Sequence, residues 1–419
     1  MSATNIATAA AEPILHSADA DTIPSSQVVW PASRSKRVST IGFGLGAVGI
    51  IATLIGAQAD PIQGYGSYLT AYMLFLSLGL GGLFFVMIHH LTSARWSVTV
   101  RRLSEAVMGT LPVFALLFIP VALGMTTLFE WANPAIAAGD ELIQEKSPYL
   151  NVTFFAIRAV FYFVVWTVLS IHLARKSAQQ DHGDGPKILA HLRAVSAPGM
   201  ILFGLTLTFA AFDWLMSMSA HWFSTIFGVY YFAGAFQGVL ALLIVVAMLL
   251  QRAGLLQGLV TVEHYHDLGK LLFGFTVFFA YIGFCQYFLI WYANIPEETF
   301  WFTARWDHGW APISLAMIAF TFVFPFFWLL SRNVKRHLGA LLFAAIVVLI
   351  GRFIDVYWMV MPSLDHHHPV GPQLSWTIVT ALLGIGGVFV GMLAWRLGKN
   401  PLIPIGDPHL RSSLGHENV

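Results

Sequence analysis

A chain of 419 residues of which 57% are hydrophobic and only 10% charged cannot clothe itself for water, because an ordinary soluble domain carries roughly 25% charged residues. Aromatics at 14%, with 34 Phe and 14 Trp, suit a surface that meets lipid chains and ends in an interfacial belt. A formal net charge of +1 comes without a basic patch large enough for nucleic acid. The single cysteine, Cys285, leaves no room for an internal disulfide, a cysteine-held iron–sulfur cluster or a Cys-x-x-Cys-His haem attachment.

Taken in chain order, residues 1–37 contain Glu12, Asp19 and Asp21 but no apolar run. They do not resemble a cleavable signal peptide and are expected to form a disordered cytoplasmic tail. Ten runs follow that reach the length of about 20 residues needed to cross roughly 30 Å of hydrocarbon. They lie near 38–58, 68–92, 107–129, 149–173, 197–218, 223–250, 268–292, 311–331, 338–360 and 375–395. The predicted fold is thus an all-α polytopic membrane protein, with a ten-helix domain over 38–395. Pro112, Pro120 and Pro325 fall inside runs and predict kinks rather than breaks. Residues 396–419, with Pro401, Pro404 and Pro408, read as a second disordered cytoplasmic tail.

Basic residues gather in alternate connections: Arg34, Lys36, Arg37; Arg95, Arg101, Arg102; Arg175, Lys176, Lys187, Arg193; Arg252; Arg332, Lys335, Arg336; and Arg396, Lys399, Arg411. The connections between them hold only Lys146 and Arg305, 2 basic residues against 17. By the positive-inside rule both termini are expected in the cytoplasm.

Ionisable groups inside spans are functional candidates by default. Helical rise puts Arg158 and Arg352 roughly 14 Å, and Asp213 and Asp355 roughly 8 to 9 Å, from the outer boundary. Arg352 and Asp355, spaced i, i+3, can pair on one helix face, and Asp213 is a candidate partner for Arg158. The inner side carries His89, His90, Glu105, His172, Asp267 and Lys270. Asp267, Lys270 and Tyr281 fall within about 60° of one another on the seventh helix, a stripe that would begin a proton path. Plainer readings stand beside these: a structural salt bridge for Arg352 and Asp355, a helix anchor for Asp213, a snorkelling Lys270 beside Asp267 and simple packing for Tyr281.

Membrane haem would need facing imidazoles, and His89 with His172 is the one pair at comparable depth. His366, His367 and His368 resemble a metal site, but no fourth ligand is evident and a solvated outer loop accounts for them. Trp301, Trp306 and Trp310, mixed with Glu297, Glu298, Arg305 and Asp307, read either as a docking loop for a peripheral subunit or as an aromatic belt.

Three stretches are familiar as a set: ARWSVTVRRLSEA (94–106), AFDWLMSMSAHWFSTIFGVYYFAG (211–234) and DLGKLLFGFTVFFAYIGFCQYFLIWYANIPEET (267–299). Together they resemble the F subunit of bacterial alternative complex III, a quinol:electron acceptor oxidoreductase, within the NrfD-like or polysulfide-reductase-membrane-subunit-like group. The likeness covers about 38–395 and is most specific in these segments. It implies two four-helix bundles, spans 2 to 5 and 6 to 9, flanked by the first and last helices. It further implies that this chain holds no redox cofactor. Quinol, multihaem c and iron–sulfur centres would belong to partners: a multihaem cytochrome c, an iron–sulfur protein and a sister NrfD-like subunit, with lipid and a terminal oxidase as further neighbours. The family setting suggests proton handling for Asp213, Asp267, Lys270 and Tyr281. Two other functions stay open, the quinol-oxidising subunit itself and an independent secondary transporter. The transporter lacks a matched pair of interrupted segments in the two halves.

Overall fold

The computed structural model describes residues 23–364, 371–373 and 375–418; the His366–His368 run lies outside them. Ten helices are long and apolar enough to cross a membrane. They follow the ten predicted runs. The first is Ala32–Ala59 and the second Pro61–Leu91. The third begins with Val98–Met108 and continues through Leu111–Leu117 and Ile119–Leu123. Val152–Gln179, Gly185–Trp214, Phe227–Arg252 and Val262–Ala293 form spans 4 to 7. Span 8 runs from Ala311 to Leu330, span 9 is Leu338–Val360 and span 10 is Trp376–Leu397. The even number of crossings leaves both chain ends on one face, called the terminal face below; the opposite side is the loop face.

Spans 2 to 5 pack as one group and spans 6 to 9 as another. Spans 2 and 6 touch across the middle and are the most enclosed, each with 83% of its apolar window buried. Burial is inverted relative to a soluble protein. Ile157, Val160, Val164 and Val168 on span 4 point outward, as lipid-facing residues at helical spacing should, whereas Arg158, Asp213, Arg352 and Asp355 are buried. With no hydrophobic drive between helices in lipid, such a bundle relies on close packing and on interhelical polar contacts.

Spans 1 and 10 form the flank and meet almost backbone to backbone. A Cβ added to Gly49 would sit 2.5 Å from the nitrogen of Gly384, and one on Gly387 would sit 2.7 Å from that of Gly46. This is the small-residue contact that lets membrane helices approach closely. Thr53 and Thr380 hydroxyls add a hydrogen bond at 2.9 Å.

The prolines do more than kink. Pro112 and Pro120 each open a new short helix within span 3. In span 8 an α-helical stretch, Ala311–Ile318, gives way to a π-helical turn, Ala319–Val323, before Phe324–Leu330. The cause is the missing N–H and the ring of Pro325, which cannot continue the ordinary i to i−4 ladder.

Both tail expectations need correction for the described residues. Leu402, Ile403 and Leu410 are buried, and the Leu402 nitrogen donates to the Val28 carbonyl at 2.7 Å. Val28 is itself buried, and the Gln27 carbonyl accepts from the Leu256 nitrogen at 2.9 Å. The two terminal segments therefore close the terminal face. Apolar anchors and backbone hydrogen bonds offset the entropy that a free tail would keep. Span 3 also starts at Val98, earlier than its hydropathy implied, because Arg101, Arg102 and Glu105 lie inside its first turns and are neutralised there.

Candidate functional site

Four polar clusters are sealed into the fold. The first lies near the loop face in the first bundle. Asp213, in the last turn of span 5, accepts from Arg158 Nε and Nη2, both at 2.8 Å, and from the Tyr162 hydroxyl at 2.8 Å. Arg158 also donates to the Tyr149 carbonyl at 2.9 Å, and its guanidinium lies 3.9 Å from the Tyr149 ring centre. Two parallel bonds from a planar fork fix both side chains, and the Tyr162 hydroxyl takes a further carboxylate lone pair. The expected pairing of Arg158 with Asp213 is present. Burial of Tyr149 pushes its phenol well above the usual range.

A second cluster repeats this chemistry in the other bundle. Asp355 on span 9 accepts from Arg352 one turn earlier and from the Tyr230 hydroxyl on span 6. Arg352 reaches Ser77 of span 2 at 3.4 Å and faces the Tyr231 ring at 5.0 Å. Space for it is made by Gly234, where an added Cβ would meet Arg352 Nη1 at 2.3 Å. Each bundle thus holds a buried arginine–aspartate–tyrosine set, with the aspartate near the loop-face end of its last span. No repeat is visible in the sequence, because the two arginines occupy different helices and only tertiary packing makes the sets alike.

The third cluster was missed. Arg305 was read as part of a charged outer loop, yet it is only 1% exposed. It donates to the carbonyls of Trp301, Trp358 and Met359 at 2.7, 3.1 and 3.0 Å and to the Ser363 hydroxyl at 2.7 Å. The Trp301 ring lies 3.2 Å from its guanidinium and is stacked 4.3 Å from Trp222. Burial pulls the Arg305 pKa down, and carbonyl dipoles with indole faces stand in for a counter-ion. Trp301 and Trp310 are buried with it, so neither the docking loop nor the aromatic belt describes them. Of the three tryptophans Trp306 alone is exposed. A single arginine ringed by aromatics at a helix junction was the available signal.

The fourth cluster lies at the terminal face. Arg101 pairs with Asp407 and lies 3.7 Å from Glu105. Arg102 binds Asp181 at 2.6 Å and the carbonyls of Ser177, Pro401 and Ile403. Beside span 7, Asp267 is held by Lys270 at 2.5 Å and His416 at 2.6 Å, and Lys270 also reaches Asn418 at 2.6 Å. The carboxylates that neutralise this face come partly from the segment read as a loose tail. Replacing Asp407 with alanine should therefore cost about 1–3 kcal/mol, the penalty of stripping a partner from a buried charged group. A lowered melting temperature of the detergent-solubilised protein would register it; an unchanged one would mean that the C-terminal segment is merely draped over the face.

The predicted residues do not join into one path. Arg158 and Asp213 belong to the first bundle, whereas Asp267, Lys270, Arg352 and Asp355 belong to the second. Tyr281 shares the expected stripe with Lys270, but the stripe turns outward: Lys270, Val277, Tyr281 and Phe284 are exposed at helical spacing, while Asp267 at its start is buried. His89 donates from Nδ1 to the Phe85 carbonyl at 2.6 Å and stacks on the Phe85 ring at 3.9 Å. His172 is instead 2.9 Å from His191, so the two histidines do not face each other. Among the described residues no group of three or more His, Cys, Asp and Glu side chains is placed to hold a metal ion.

Between the second bundle's ends sits one more polar layer. Gln237 donates its amide to the Thr276 hydroxyl at 3.0 Å and to the Thr321 carbonyl at 2.9 Å, the latter inside the π-helical turn. The first bundle has aromatic packing at its centre, with Trp214 stacked against Phe163 and edge-on to Trp166.

No family model matches the sequence. A comparison with curated proteins returns no match.

Proposed function

We propose that this integral membrane protein is a subunit of a respiratory quinol:electron acceptor oxidoreductase of the alternative complex III type. In this reading it carries no redox centre of its own and supports partners that do, namely a multihaem cytochrome c, an iron–sulfur protein and a sister NrfD-like subunit. The terminal face would lie in the cytoplasm of a bacterial cell and the loop face would meet the electron-carrying partners. The observation that carries the reading is the sealed arginine–aspartate–tyrosine set recurring once in each four-helix bundle. Arg158 with Asp213 ties span 4 to span 5, and Tyr230 with Asp355 ties span 6 to span 9; buried polar contacts of this kind contribute little net stability but hold facing helices in one register, which suits a scaffold whose loop face must fit other subunits.

A weaker part of the proposal concerns protons. In the second bundle polar groups lie at the terminal face, at mid-depth and near the loop face: Asp267 with Lys270, Gln237 with Thr276 and Thr321, and Tyr230 with Asp355. Asp267 and Thr276 are separated by roughly 13 Å of helix, so a conducting chain would need ordered water between the layers. Proton handling by Asp213 drops out of this version, since Asp213 sits in the other bundle. A secondary transporter fits less well, because interrupted helices at corresponding positions of two halves are called for, and the interrupted helices here, spans 3 and 8, are the second of one bundle and the third of the other.

The test is purification of the tagged chain from its native membrane in a mild detergent. It should bring covalently attached haem and a second NrfD-like polypeptide with it, and isolation as a free active unit would overturn the reading. In the same complex, Lys270→Met should leave quinol turnover nearly intact and reduce protons moved per electron. An unchanged ratio removes the proton path and leaves the scaffold.

A further inference from the structure

The basic residues of the terminal face are not all placed alike. Arg101, Arg102 and Arg336 each hold a carboxylate, from Asp407, Asp181 and Glu263. Arg396, in the last turn of span 10, does not. Its Nε donates to the Gly109 carbonyl of span 3 at 3.1 Å, and an added Cβ at Gly109 would lie 2.7 Å from that nitrogen. The glycine makes room for the guanidinium, whose Nη1 and Nη2 have no hydrogen-bond partner among the described residues.

Two more cations stand beside it. Arg175, near the end of span 4, is close enough for its charge to act on Arg396, and the charge of Arg396 acts in turn on Lys399. Lys399 Nζ lies 3.4 Å from the Trp395 ring centre. Glu105 lines the small hollow next to Arg396 but is turned to Arg101 and Arg102, at 3.7 and 3.9 Å. Three like charges gathered from two helices repel one another unless an anion lies among them.

The chemistry of that anion follows from what lies deeper in the membrane. Arg175 continues a stripe of span 4 formed by Phe161, Val164 and Val168, all exposed and all on one helix face. Starting about 10 Å from Arg175 along the helix, an apolar groove of about 480 Å³ opens between spans 3 and 4, with Val164 and Val168 on one wall and Ala115, Phe118 and Ala122 on the other. No charged side chain lines it. A cationic rim above a hydrocarbon groove on the same helix face complements an amphiphile with a negative head.

We infer that this corner of the terminal face seats one anionic phospholipid. Its phosphate lies between Arg396 and Arg175, where a planar guanidinium can hold two phosphate oxygens, and one acyl chain follows the span 4 stripe into the groove. Basic pockets between transmembrane helices accept such headgroups. A zwitterionic lipid fits less well, since its ammonium would meet further cations, and a free phosphate would leave the groove empty. The bound lipid ties span 10 of the flank to span 4 of the first bundle. The site is read from these side chains alone and stands whether or not the chain belongs to the complex proposed above.

The experiment uses the full-length protein, stripped of lipid by detergent exchange and offered equal amounts of phosphatidylglycerol and phosphatidylcholine with identical chains. Native mass spectrometry should show about a tenfold preference for phosphatidylglycerol in the first lipid retained. Arg175→Gln combined with Arg396→Gln should make retention nearly even, whereas Arg332→Gln, at an exposed basic position elsewhere, should leave the preference intact. Even retention by the unsubstituted protein would overturn the proposal without recourse to any variant. An equal loss in Arg332→Gln would also overturn it, by tracing the preference to the diffuse charge of the face. A phosphatidylglycerol with a photoreactive acyl chain should label the segments 115–125 or 155–168, and labelling confined to other spans would sink the placement. Displacement of the lipid by an equal concentration of glycerol phosphate would make the occupant a free anion and remove the lipid seat.

Discussion

Arg158→Leu should destabilise the protein by roughly 3–5 kcal/mol, because it strands the Asp213 carboxylate in a buried site with only the Tyr162 hydroxyl for company. Both bonds of the bidentate pair, each 2.8 Å, are lost at once. The asymmetry between losing one partner and losing both makes the prediction specific. Asp213→Leu combined with Arg158→Leu removes both charges and should recover most of the loss, since paired burial itself contributes little. Thermal unfolding in detergent, read for the two single variants and the double variant, gives the coupling directly. A single variant that melts like the parent would place this pair in contact with bulk water and remove the observation on which the functional proposal rests.

The second large effect concerns the flank. Gly384→Leu should release span 1 from span 10, since a Cβ at Gly384 would lie 2.7 Å from the nitrogen of Ile50 and 3.0 Å from the carbonyl carbon of Gly49. Ordinary overpacking costs about 1–3 kcal/mol when side chains can move aside. Here the obstacle is backbone, so the cost should exceed that range. A pair of reporters is available in Thr53 and Thr380, whose hydroxyls are 2.9 Å apart. The variant carrying Thr53→Cys and Thr380→Cys should cross-link readily under mild oxidation, and adding Gly384→Leu should abolish the cross-link. Persistent cross-linking would show that the two helices part and rejoin at little expense.

These two expectations come from different forces, and the distinction matters for the whole molecule. The interior of each bundle is held in register by a few charged and hydroxyl groups that lipid cannot solvate. The flank has almost no such groups and depends on contact between glycine-rich backbones. Substitutions that are mild in a water-soluble core, such as glycine to a larger apolar residue, are severe in the flank. Loss of a charge, which on a soluble surface is nearly neutral, is severe in the bundles.

How much of this was legible beforehand differs from residue to residue. The ten spans could be read because hydrocarbon imposes length and apolarity on every crossing segment, a one-dimensional property. Arg352 and Asp355 could be paired because a helix by itself sets their spacing. Arg158 and Asp213 could be nominated from depth, since both fall near the same membrane level. Tyr281 could be set on one face with Lys270, but whether that face meets lipid or the interior depends on how span 7 packs against its neighbours. Arg305 looked like a solvated loop residue, and most of its cage, the Trp358 and Met359 carbonyls and the Ser363 hydroxyl, comes from a segment that is adjacent only after folding. The terminal segments looked loose because their prolines and polarity resemble linkers, whereas Leu402, Ile403 and Asp407 find partners on span 3 and beside residue 28.

The linear order of residues therefore determined the class of protein, the number of crossings and which side chains were too polar to face lipid. Tertiary structure alone decided which of those side chains meet, and that they form one set in each bundle rather than a single path. The physical reason is that transfer into hydrocarbon is a property of each residue in turn, whereas satisfying a buried hydrogen bond depends on the position and direction of a partner far away in the chain.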